Sequence, residues 1–251
     1  MTQAQITMEA LTYERYGPPD VIRVEEVLRP SPKPDEVLIR VHASSVNTSD
    51  WRVRAAAFSG ITALPARLIF GLFHPRNTRL GSEFAGVVEA IGADVKSFVP
   101  GQRVFGITSK GGASAEYLAL PETAALAEMP DRLSFEEAAA LPFGGLAALV
   151  FLEEFEGLKA SQRTLIIGAS GGVGIYAVQI AKALGAHVTG LSGPDSQALV
   201  RSLGPDMTLN YKMTKLSDIA DRFDVILDAV GGVAPRQARK LLRRGGLFLP
   251  L

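Results

Sequence analysis

A glycine-rich stretch in the second half of the chain restricts the possible folds most strongly. Residues 168–174 read GASGGVG and lie between the apolar run TLIIG and the run IYAVQIAKALG, which has helical spacing. Each glycine costs backbone entropy on folding, so such a cluster marks a turn, a close packing contact or a bound ligand. The stretch predicts a strand that passes through a tight turn into a helix.

The same succession of strand and helix continues to the end of the chain. Predicted strands are TLIIG, HVTGL, MTLN, FDVILDAV and GLFLPL, and predicted helices cover residues 173–184, 195–203 and 235–244. A further helical pattern begins after Ser134, which is a suitable N-cap followed by Glu136 and Glu137. Alternation at this spacing predicts βαβ units on a parallel sheet with right-handed crossovers.

The first half of the chain has a different pattern. VIRVEEV, EVLIRVHA, EFAGVVEAIG, QRVFGI and AEYLAL read as short strands separated by Gly- and Pro-rich turns. The sequence therefore predicts an all-β domain over residues 1–126 and an α/β domain over residues 127–251. Residues 52–80 are apolar and basic without strand alternation, and we expect either a helical lid over a cleft or a helix packed on its own domain.

Composition excludes several classes of function. The 251 residues are 47% hydrophobic with a formal net charge of zero, so no basic surface favours nucleic acid. The chain has no cysteine, which excludes disulfides, thiolate nucleophiles and cysteine-based zinc sites. No apolar stretch is long enough to span a membrane, and the N-terminus has no pattern of a signal peptide. We expect a cytoplasmic protein with a small-molecule partner.

The glycine-rich stretch fits a dinucleotide site. Ala169, Gly171 and Gly174 match the G-x-G-x-x-G spacing with alanine in the first position. A side chain at Gly171 would keep a pyrophosphate away from the helix N-terminus, whose free N–H groups attract anions. A tight turn without a ligand is the alternative.

The end of the second predicted parallel strand indicates which dinucleotide. An NAD site has an Asp or Glu there for the ribose hydroxyls, whereas HVTGLSG ends in Leu191 and Ser192. A hydroxyl in place of a carboxylate favours the 2′-phosphate of NADPH. Asp195 lies close by, and its simpler role is a helix N-cap after Pro194.

Several segments in order along nearly the whole chain carry a resemblance to a known family. They are EVLIRVHASSVNTSDWRVR, LGSEFAGVVEAIG, GQRVFG, AEYLAL, AAALPFGGLAAL, GASGGVG, LNYK and DAVGG. Together they resemble the zinc-independent quinone oxidoreductase branch of the medium-chain dehydrogenase/reductase superfamily. The resemblance implies a GroES-like β domain joined to a Rossmann domain, with NADPH in the cleft and hydride transfer to quinones or α,β-unsaturated carbonyls.

The resemblance also implies roles for individual residues of the coenzyme site. The implied contacts are Ser170, Gly171, Gly172 and Val173 for the pyrophosphate, Ser192 and Tyr211 for the 2′-phosphate, and Val230 and Gly231 for the nicotinamide ribose. Tyr211 could equally be a strand-end aromatic with Lys212 as the more important neighbour. The GG pair after Val230 could equally be a plain strand-end turn.

On the catalytic side, the resemblance points to Asn47 and Asp50. Asn47 would lie near the nicotinamide ribose and the substrate, and a donor at the carbonyl oxygen would lower the barrier to hydride transfer. The alternative is that Asn47 caps a turn and Asp50 caps a helix that starts at Trp51. For Glu83, a hydrogen bond to buried backbone or an ion pair with an arginine is a simpler role than acid catalysis.

The zinc ligands of related alcohol dehydrogenases are replaced in this chain. Asn47 stands where those relatives have cysteine, and Ser82 stands where they have histidine. His42, His74 and His187 are scattered without a second ligand at metal spacing. We expect no metal.

Three departures from the family pattern keep a second function open. Ala147 replaces a common threonine, Ser196 replaces a common lysine near the 2′-phosphate, and the chain stops on the fifth predicted parallel strand. We therefore expect a truncated Rossmann sheet, and either the sequence is a fragment or something covers the open apolar edge. Members of the family that the chain resembles commonly pair sheets across a dimer, so we expect a homodimer. The alternative to a quinone or enone reductase is an NADPH-binding structural or regulatory protein with little catalysis.

Overall fold

The computed structural model describes residues 6–58, 63–154 and 157–251. The chain divides into two compact units, Met1–Pro142 and Phe143–Leu251. The domain boundary between residues 126 and 127 stays a prediction.

The first unit is built on antiparallel strands. Its strands are β1 (Thr7–Thr12), β2 (Arg23–Leu28), β3 (Glu36–Ser44), β4 (Glu83–Ile91), β5 (Arg103–Ile107), β6 (Tyr117–Pro121) and β7 (Leu126–Glu128), and its helices are α1 (Thr48–Ala55), α2 (Ala63–Phe70) and α3 (Phe135–Ala139). β1 and β2 form an antiparallel pair, and the other five strands form a sheet in the order β6-β3-β4-β5-β7. The predicted GroES-like β architecture is confirmed.

Alternate residues of the central strands form the core of this sheet. Val37 and Ile39 of β3 pack with Phe84 and Val88 of β4, and all four are buried. In the register of this pair, Ser44 lies opposite Phe84. The residues that follow β3 therefore lie beside the residues that begin β4.

The second unit contains a parallel sheet. Its strands are β8 (Arg163–Ile167), β9 (His187–Ser192), β10 (Met207–Asn210), β11 (Phe223–Asp228) and β12 (Leu242–Pro250), and its helices are α4 (Pro142–Leu149), α5 (Gly174–Ala183), α6 (Gln197–Ser202) and α7 (Pro235–Leu241). The strand order is β10-β9-β8-β11-β12 and every pairing is parallel. This order is that of a Rossmann sheet with five strands, as predicted.

Both faces of the parallel sheet are covered, as a doubly wound fold requires. Ile166 of β8 packs in a cluster with Ala177 and Val178 of α5. Its neighbours Leu165 and Ile167 point to the other face, in a cluster that includes Leu241 of α7. A strand buried on both sides has no polar face, which explains the uninterrupted apolar run TLII.

The helix predicted over residues 235–244 is too long. It ends at Leu241, and Leu242 already pairs with Phe223 as part of β12. Gly245 has a φ of 80° and is followed by Gly246, so the segment is a poor helix former. The pairing of β12 with β11 decides the conformation of these residues.

Residues 52–80 contain helix, as both expectations for this segment required. α1 extends to Ala55 and α2 covers Ala63–Phe70, while residues 59–62 of this segment lie outside the described residues.

The helical pattern after Ser134 is interrupted: α3 ends at Ala139 and α4 begins at Pro142. Proline lacks the N–H that a continuous helix would need there.

The predicted N-cap at Ser134 is confirmed. Its hydroxyl accepts a hydrogen bond from the Glu137 N–H at 3.1 Å, and the Glu137 carboxylate accepts one from the Ser134 N–H at 2.9 Å.

In the described part of the chain, none of the helices combines the length and the apolar character needed to cross a membrane.

Candidate functional site

The turn between β8 and α5 is held tightly by backbone hydrogen bonds. The N–H groups of Gly168 and Ala169 both donate to the carbonyl of Leu191 on β9, at 2.9 and 3.0 Å. The Gly171 N–H closes the turn on the Gly168 carbonyl at 2.9 Å. Gly168 has a φ of 78°, so glycine is needed there by the backbone itself.

Three glycines of this turn differ in how much space the fold leaves for a side chain. A Cβ at Gly174 would lie 2.0 Å from the Gly168 carbonyl oxygen, so the fold excludes a side chain there. A Cβ at Gly171 would lie 3.3 Å from the same oxygen, which is tight. A Cβ at Gly172 would meet nothing within 4 Å, and its φ is not left-handed. Neither packing nor backbone conformation explains Gly172.

Free donors surround these glycines. The N–H groups of Ser170, Gly172 and Val173 meet no acceptor among the described residues. These residues lead into the N-terminus of α5. The N–H groups at a helix N-terminus have no partner within the helix, and the positive end of the helix dipole lies there. The loop can therefore hold a diphosphate, with Gly172 open to its close approach.

The end of β9 has a hydroxyl that is already engaged. Ser192 is buried, and its Oγ accepts a hydrogen bond from the Gln197 Nε2 at 2.8 Å. Tyr211 is 55% exposed and its hydroxyl lies beside Gly193, where an added Cβ would be 3.1 Å from it. Lys212 Nζ is 5.8 Å from the Tyr211 ring centroid. The structure thus brings Ser192 and Tyr211 to the same strand end.

The expectation that Asp195 caps a helix is wrong. A 3₁₀ turn begins one residue earlier, at Pro194, with Gly193 in the cap position, and α6 follows with Ser196 as its cap. The fixed φ of proline favours the first position of a helical turn, which places Asp195 inside that turn. Neither cap residue makes a side-chain capping hydrogen bond.

A buried carboxylate shapes the turn after β11. Asp228 is fully buried, and its Oδ1 accepts from the N–H groups of Val230 and Gly231, both at 3.1 Å. Its Oδ2 accepts from the Val233 N–H at 2.8 Å. Val230 is 63% exposed and Gly231 has a φ of 74°. Asp228 therefore presents both predicted ribose contacts on an ordered turn.

In the first unit, Asn47 is the N-cap of α1. Its Oδ1 accepts from the N–H groups of Ser49 and Asp50 at 2.8 and 3.2 Å, and the Asp50 Oδ2 accepts from the Asn47 N–H at 3.0 Å. This reciprocal arrangement is a capping box. The helix begins at Thr48, so the alternative of a helix that starts at Trp51 is wrong in its start but right in giving Asn47 and Asp50 a capping role.

The amide nitrogen of Asn47 reaches the start of β4. Nδ2 donates to the Ser82 Oγ and to the Glu83 Oε2, both at 2.8 Å. Glu83 is 2% exposed and also accepts from the Ser45 hydroxyl. All the hydrogen-bonding capacity of the Asn47 side chain is thus used inside the protein.

A pocket of about 710 Å³ opens beside this cluster, entirely within the first unit. Its walls include Tyr13, Asp50 and Ser82, the apolar side chains of Val53, Ile69, Phe70 and Leu80, and three cationic residues, Arg76, Arg79 and Lys110. A volume in this range suits a small organic ligand.

Two titratable groups in the pocket are shifted by burial. Burial, together with Tyr16 and Asp50 nearby, raises the pKa of Tyr13 to about 12. Burial also raises the pKa of Asp50, and hydrogen bonds from the Asn47 backbone and from Ser82 oppose that rise, while Glu83 adds to it. Tyr13 is therefore a neutral phenol across the physiological range. Its hydroxyl has no hydrogen-bond partner among the described residues.

Sequence reasoning missed Tyr13, Asp228 and the three cations. Asp228 ends a predicted strand just before a GG pair, which was a usable signal for a carboxylate that organises a turn. Tyr13 and the cations come from separate segments with no local pattern. Among the residues that the structure describes, no group of three His, Cys, Asp or Glu is placed to hold a metal ion.

Comparison with known proteins places these features in one family. Residues 33–131 match the Alcohol dehydrogenase GroES-like domain, and residues 172–250 match the Zinc-binding dehydrogenase family. The chain is 34% identical to a quinone oxidoreductase of Sus scrofa, covering 98% of this chain and 73% of that protein.

The chain spans less than two thirds of the length of two further relatives. The chain is 34% identical to a mitochondrial NAD(P)H oxidoreductase of Mus musculus and 34% identical to a 2-methylene-furan-3-one reductase of Solanum lycopersicum. It covers 97% of its own length in both alignments, but spans 65% and 62% of those two proteins.

Solved structures agree with the sequence relatives. The quinone oxidoreductase from Coxiella burnetii superposes with a TM-score of 0.85 at 31% identity, covering 97% of this chain and 75% of that one. The quinone oxidoreductase of Escherichia coli complexed with NADPH superposes with a TM-score of 0.81 at 26% identity, covering 96% and 72%. The chain belongs to the quinone oxidoreductase-like branch of the medium-chain dehydrogenase/reductase superfamily.

Proposed function

We propose that this protein is an NADPH-dependent, zinc-independent oxidoreductase that reduces a quinone or an α,β-unsaturated carbonyl compound. The names of the relatives support an oxidoreductase that uses NAD(P)H, and the structural neighbour from Escherichia coli binds NADPH. The tomato relative is named as the reductase of a conjugated ketone.

The open space beside Gly172 is the main observation in favour of the proposed coenzyme site. The fold would tolerate a side chain at this position, and unpaired N–H groups flank it. A glycine that the fold does not need is explained by a ligand that lies against the backbone. Ser170, Gly171, Gly172 and Val173 are proposed to hold the pyrophosphate of NADPH, and Val230 and Gly231 its nicotinamide ribose.

The preference for NADPH over NADH is proposed from the end of β9. A carboxylate at this strand end would repel a 2′-phosphate, and Ser192 stands there instead. Tyr211 and Lys212 lie on the neighbouring strand end, and Lys212 supplies a positive charge that Ser196 does not. We propose Ser192 and Tyr211 as the 2′-phosphate contacts, with Lys212 as the nearby cation.

The acceptor is proposed to bind in the pocket of the first unit. NADPH, when bound, supplies a hydride, and the acceptor takes up this hydride together with one proton from water. Negative charge then develops on the carbonyl oxygen, and a neutral phenol can donate a hydrogen bond to it without losing its proton. Tyr13 is proposed as this donor.

Asn47 and Asp50 are proposed as positioning residues. Because the Asn47 side chain has two donors and two acceptor sites engaged within the protein, it fixes α1 against the start of β4. Asp50 is thereby held in the pocket wall. Direct contact between Asn47 and the substrate stays a prediction.

Zinc independence is proposed from the chemistry at the two replaced ligand positions. Asn47 and Ser82 hydrogen-bond to each other at 2.8 Å, and neither an amide nor a neutral hydroxyl is a good ligand for zinc. The homodimer and the cytoplasmic location stay predictions.

A variant at Gly172 tests the coenzyme site. We expect Gly172→Val to weaken NADPH binding, measured by fluorescence titration, by about tenfold or more while thermal unfolding stays unchanged. Ala183→Val introduces the same side chain at the exposed far end of α5 and serves as the control. Equal NADPH affinity of the two variants and the wild type would refute the proposed coenzyme site.

Steady-state NADPH oxidation with a naphthoquinone and with a 2-alkenal tests the reaction. We expect turnover of at least one acceptor, and Tyr13→Phe is expected to lower kcat by about tenfold or more without changing the Kd of NADPH. Tight NADPH binding with no turnover of either acceptor would favour the structural or regulatory alternative.

A further inference from the structure

The acceptor pocket carries an unbalanced positive charge. Arg76, Arg79 and Lys110 line it, and the carboxylate among its lining residues is Asp50. None of the three cations forms an ion pair with any residue in the described ranges 6–58, 63–154 and 157–251. The Arg76 guanidinium donates a hydrogen bond to the Ile69 carbonyl at 3.5 Å, which is a neutral acceptor. Cations that line a cavity without a carboxylate partner are expected to bind an anion.

The two segments that carry these cations are fixed to each other. The Asn77 side chain donates a hydrogen bond to the Lys110 carbonyl, and the Gly112 N–H donates to the Leu80 carbonyl at 3.0 Å. A Cβ at Gly111 would lie 2.6 Å from the Arg79 carbonyl oxygen, so the backbones touch. This contact holds Arg79 and Lys110 on neighbouring parts of one wall.

The rest of the pocket is suited to an apolar, conjugated body. Val53, Ile69, Phe70 and Leu80 line it, and Tyr13 offers the neutral donor described above. A ligand that fits all of these groups has an apolar part, a carbonyl group and an anionic group. The volume of about 710 Å³ limits it to a small molecule.

We propose that the preferred acceptor is a conjugated carbonyl compound that carries a carboxylate, which Arg76, Arg79 and Lys110 recognise. This inference rests on the proposed function, because it names the class of acceptor for the same reaction. The reduction is balanced as a two-electron step: the acceptor gains the hydride of NADPH and one proton from water, its C=C bond becomes a C–C bond, and NADP⁺ remains. The carboxylate is not consumed.

A matched pair of ligands tests this specificity. 3-Benzoylacrylate and its methyl ester share the same conjugated ketone and differ in the negative charge. Calorimetric titration in the presence of NADP⁺ measures their binding without turnover. We expect the acid to bind at least about tenfold more tightly than the ester. Equal affinities would overturn the proposal.

Charge-removing variants identify the groups responsible. Arg79→Gln is expected to weaken binding of the acid by about tenfold and to leave the ester within about twofold. Arg52→Gln removes an exposed arginine of α1 outside the pocket lining and serves as the control. If Arg79→Gln instead raises the Kd of NADPH and leaves the preference for the acid unchanged, the cations serve the coenzyme and the proposal fails.

The two proposals fail in different ways. Turnover of the ester at a rate equal to that of the acid, with equal binding, would leave the reductase function intact and refute the carboxylate preference. Tight, Arg79-dependent binding of the acid without turnover of either ligand would refute the reductase function and support the anion-binding pocket.

Discussion

At the level of single residues, the polar side chains of Asn47 and Glu83 beside the pocket of the first unit make hydrogen bonds within the protein. Asn47 connects α1 to the start of β4, and Glu83 accepts its amide hydrogen. Tyr13 differs from them, because it lines the pocket and its hydroxyl has no hydrogen-bond partner among the described residues. Asn47 and Glu83 therefore hold the site together, whereas the Tyr13 hydroxyl is available to a ligand.

The ionisation of Tyr13 predicts a pH dependence of stability. Its pKa is raised to about 12 in the folded protein, whereas an unfolded tyrosine titrates near pH 10. Between these values the unfolded state has lost a proton that the folded state keeps, so stability falls as the pH rises. Urea unfolding from about pH 9 to 11.5 should show this fall reduced in Tyr13→Phe, by up to about 1.4 kcal/mol per pH unit. Parallel profiles for both proteins would contradict the assignment.

Substitutions of Asn47 separate its capping role from its donor role. Asn47→Asp and Asn47→Ser both keep an N-cap oxygen, but the aspartate places a carboxylate where Nδ2 lies 2.8 Å from Glu83. We expect Asn47→Asp to lose about 3 kcal/mol of unfolding free energy at pH 7 and Asn47→Ser about 1 to 2 kcal/mol.

The difference between these two variants should shrink towards pH 5. One carboxyl of the new pair then takes up a proton, which removes the repulsion. Urea unfolding at both pH values measures the effect. A serine variant as unstable as the aspartate variant at pH 7 would show that the contact with Glu83 does not matter.

At the level of elements, the proposed coenzyme site consists of the turns that follow β8, β9 and β11. Parallel pairing brings the carboxyl ends of these strands to one edge of the sheet, where open α/β sheets bind their ligands. The turn after β8 is fixed by the Leu191 carbonyl on β9, and the turn after β11 is fixed by the Asp228 carboxylate. Each turn therefore depends on an element next to it as well as on its own glycines.

Asp228→Asn is expected to destabilise the turn after β11. The buried carboxylate accepts three backbone hydrogen bonds, and an amide can accept only through its oxygen. We expect a loss of about 2 to 4 kcal/mol in unfolding free energy, measured by urea denaturation. Asp218→Asn, at an exposed position, is the control and should change stability by less than about 0.5 kcal/mol. Equal stability of both variants would remove Asp228 from its proposed role.

At the level of the whole molecule, charge is balanced overall and unbalanced locally. The formal net charge is zero, with 26 basic and 26 acidic residues, so the molecule as a whole does not attract anions. The local excess lies in the lining of the pocket in the first unit, which includes Arg76, Arg79 and Lys110 and one carboxylate, Asp50. Attraction of an anionic acceptor is therefore confined to short range.

This distribution predicts a selective effect of salt. Raising sodium chloride from about 0.02 to 0.3 M shortens the Debye length from roughly 20 Å to about 6 Å. We expect the KM for 3-benzoylacrylate to rise several-fold over this range, while the KM for its methyl ester changes by less than about twofold. Steady-state kinetics at saturating NADPH measures both. A parallel rise for acid and ester would show that salt acts on something other than the pocket cations.

The sequence allowed the fold to be predicted because the relevant signals are local. The period of apolar residues changes after the first half of the chain, and GASGGVG follows a strand directly. The boundaries were less certain: residues 242–244 have a helical pattern, but pairing with β11 makes them strand. Hydrogen bonds to a distant strand outweigh a weak local preference.

The candidate sites divide in the same way. The pyrophosphate loop lies in one continuous segment, so its spacing is readable from the chain. The pocket gathers Tyr13, Asp50, Arg79 and Lys110 from segments far apart. Tertiary contacts bring these segments together: β3 pairs with β4, and the Tyr13 N–H donates to the Thr78 carbonyl at 2.8 Å. Local periodicity and turn chemistry determined the architecture, whereas the ionisation of Tyr13 and the unpaired cations arise from burial and proximity, which exist only once the chain has folded.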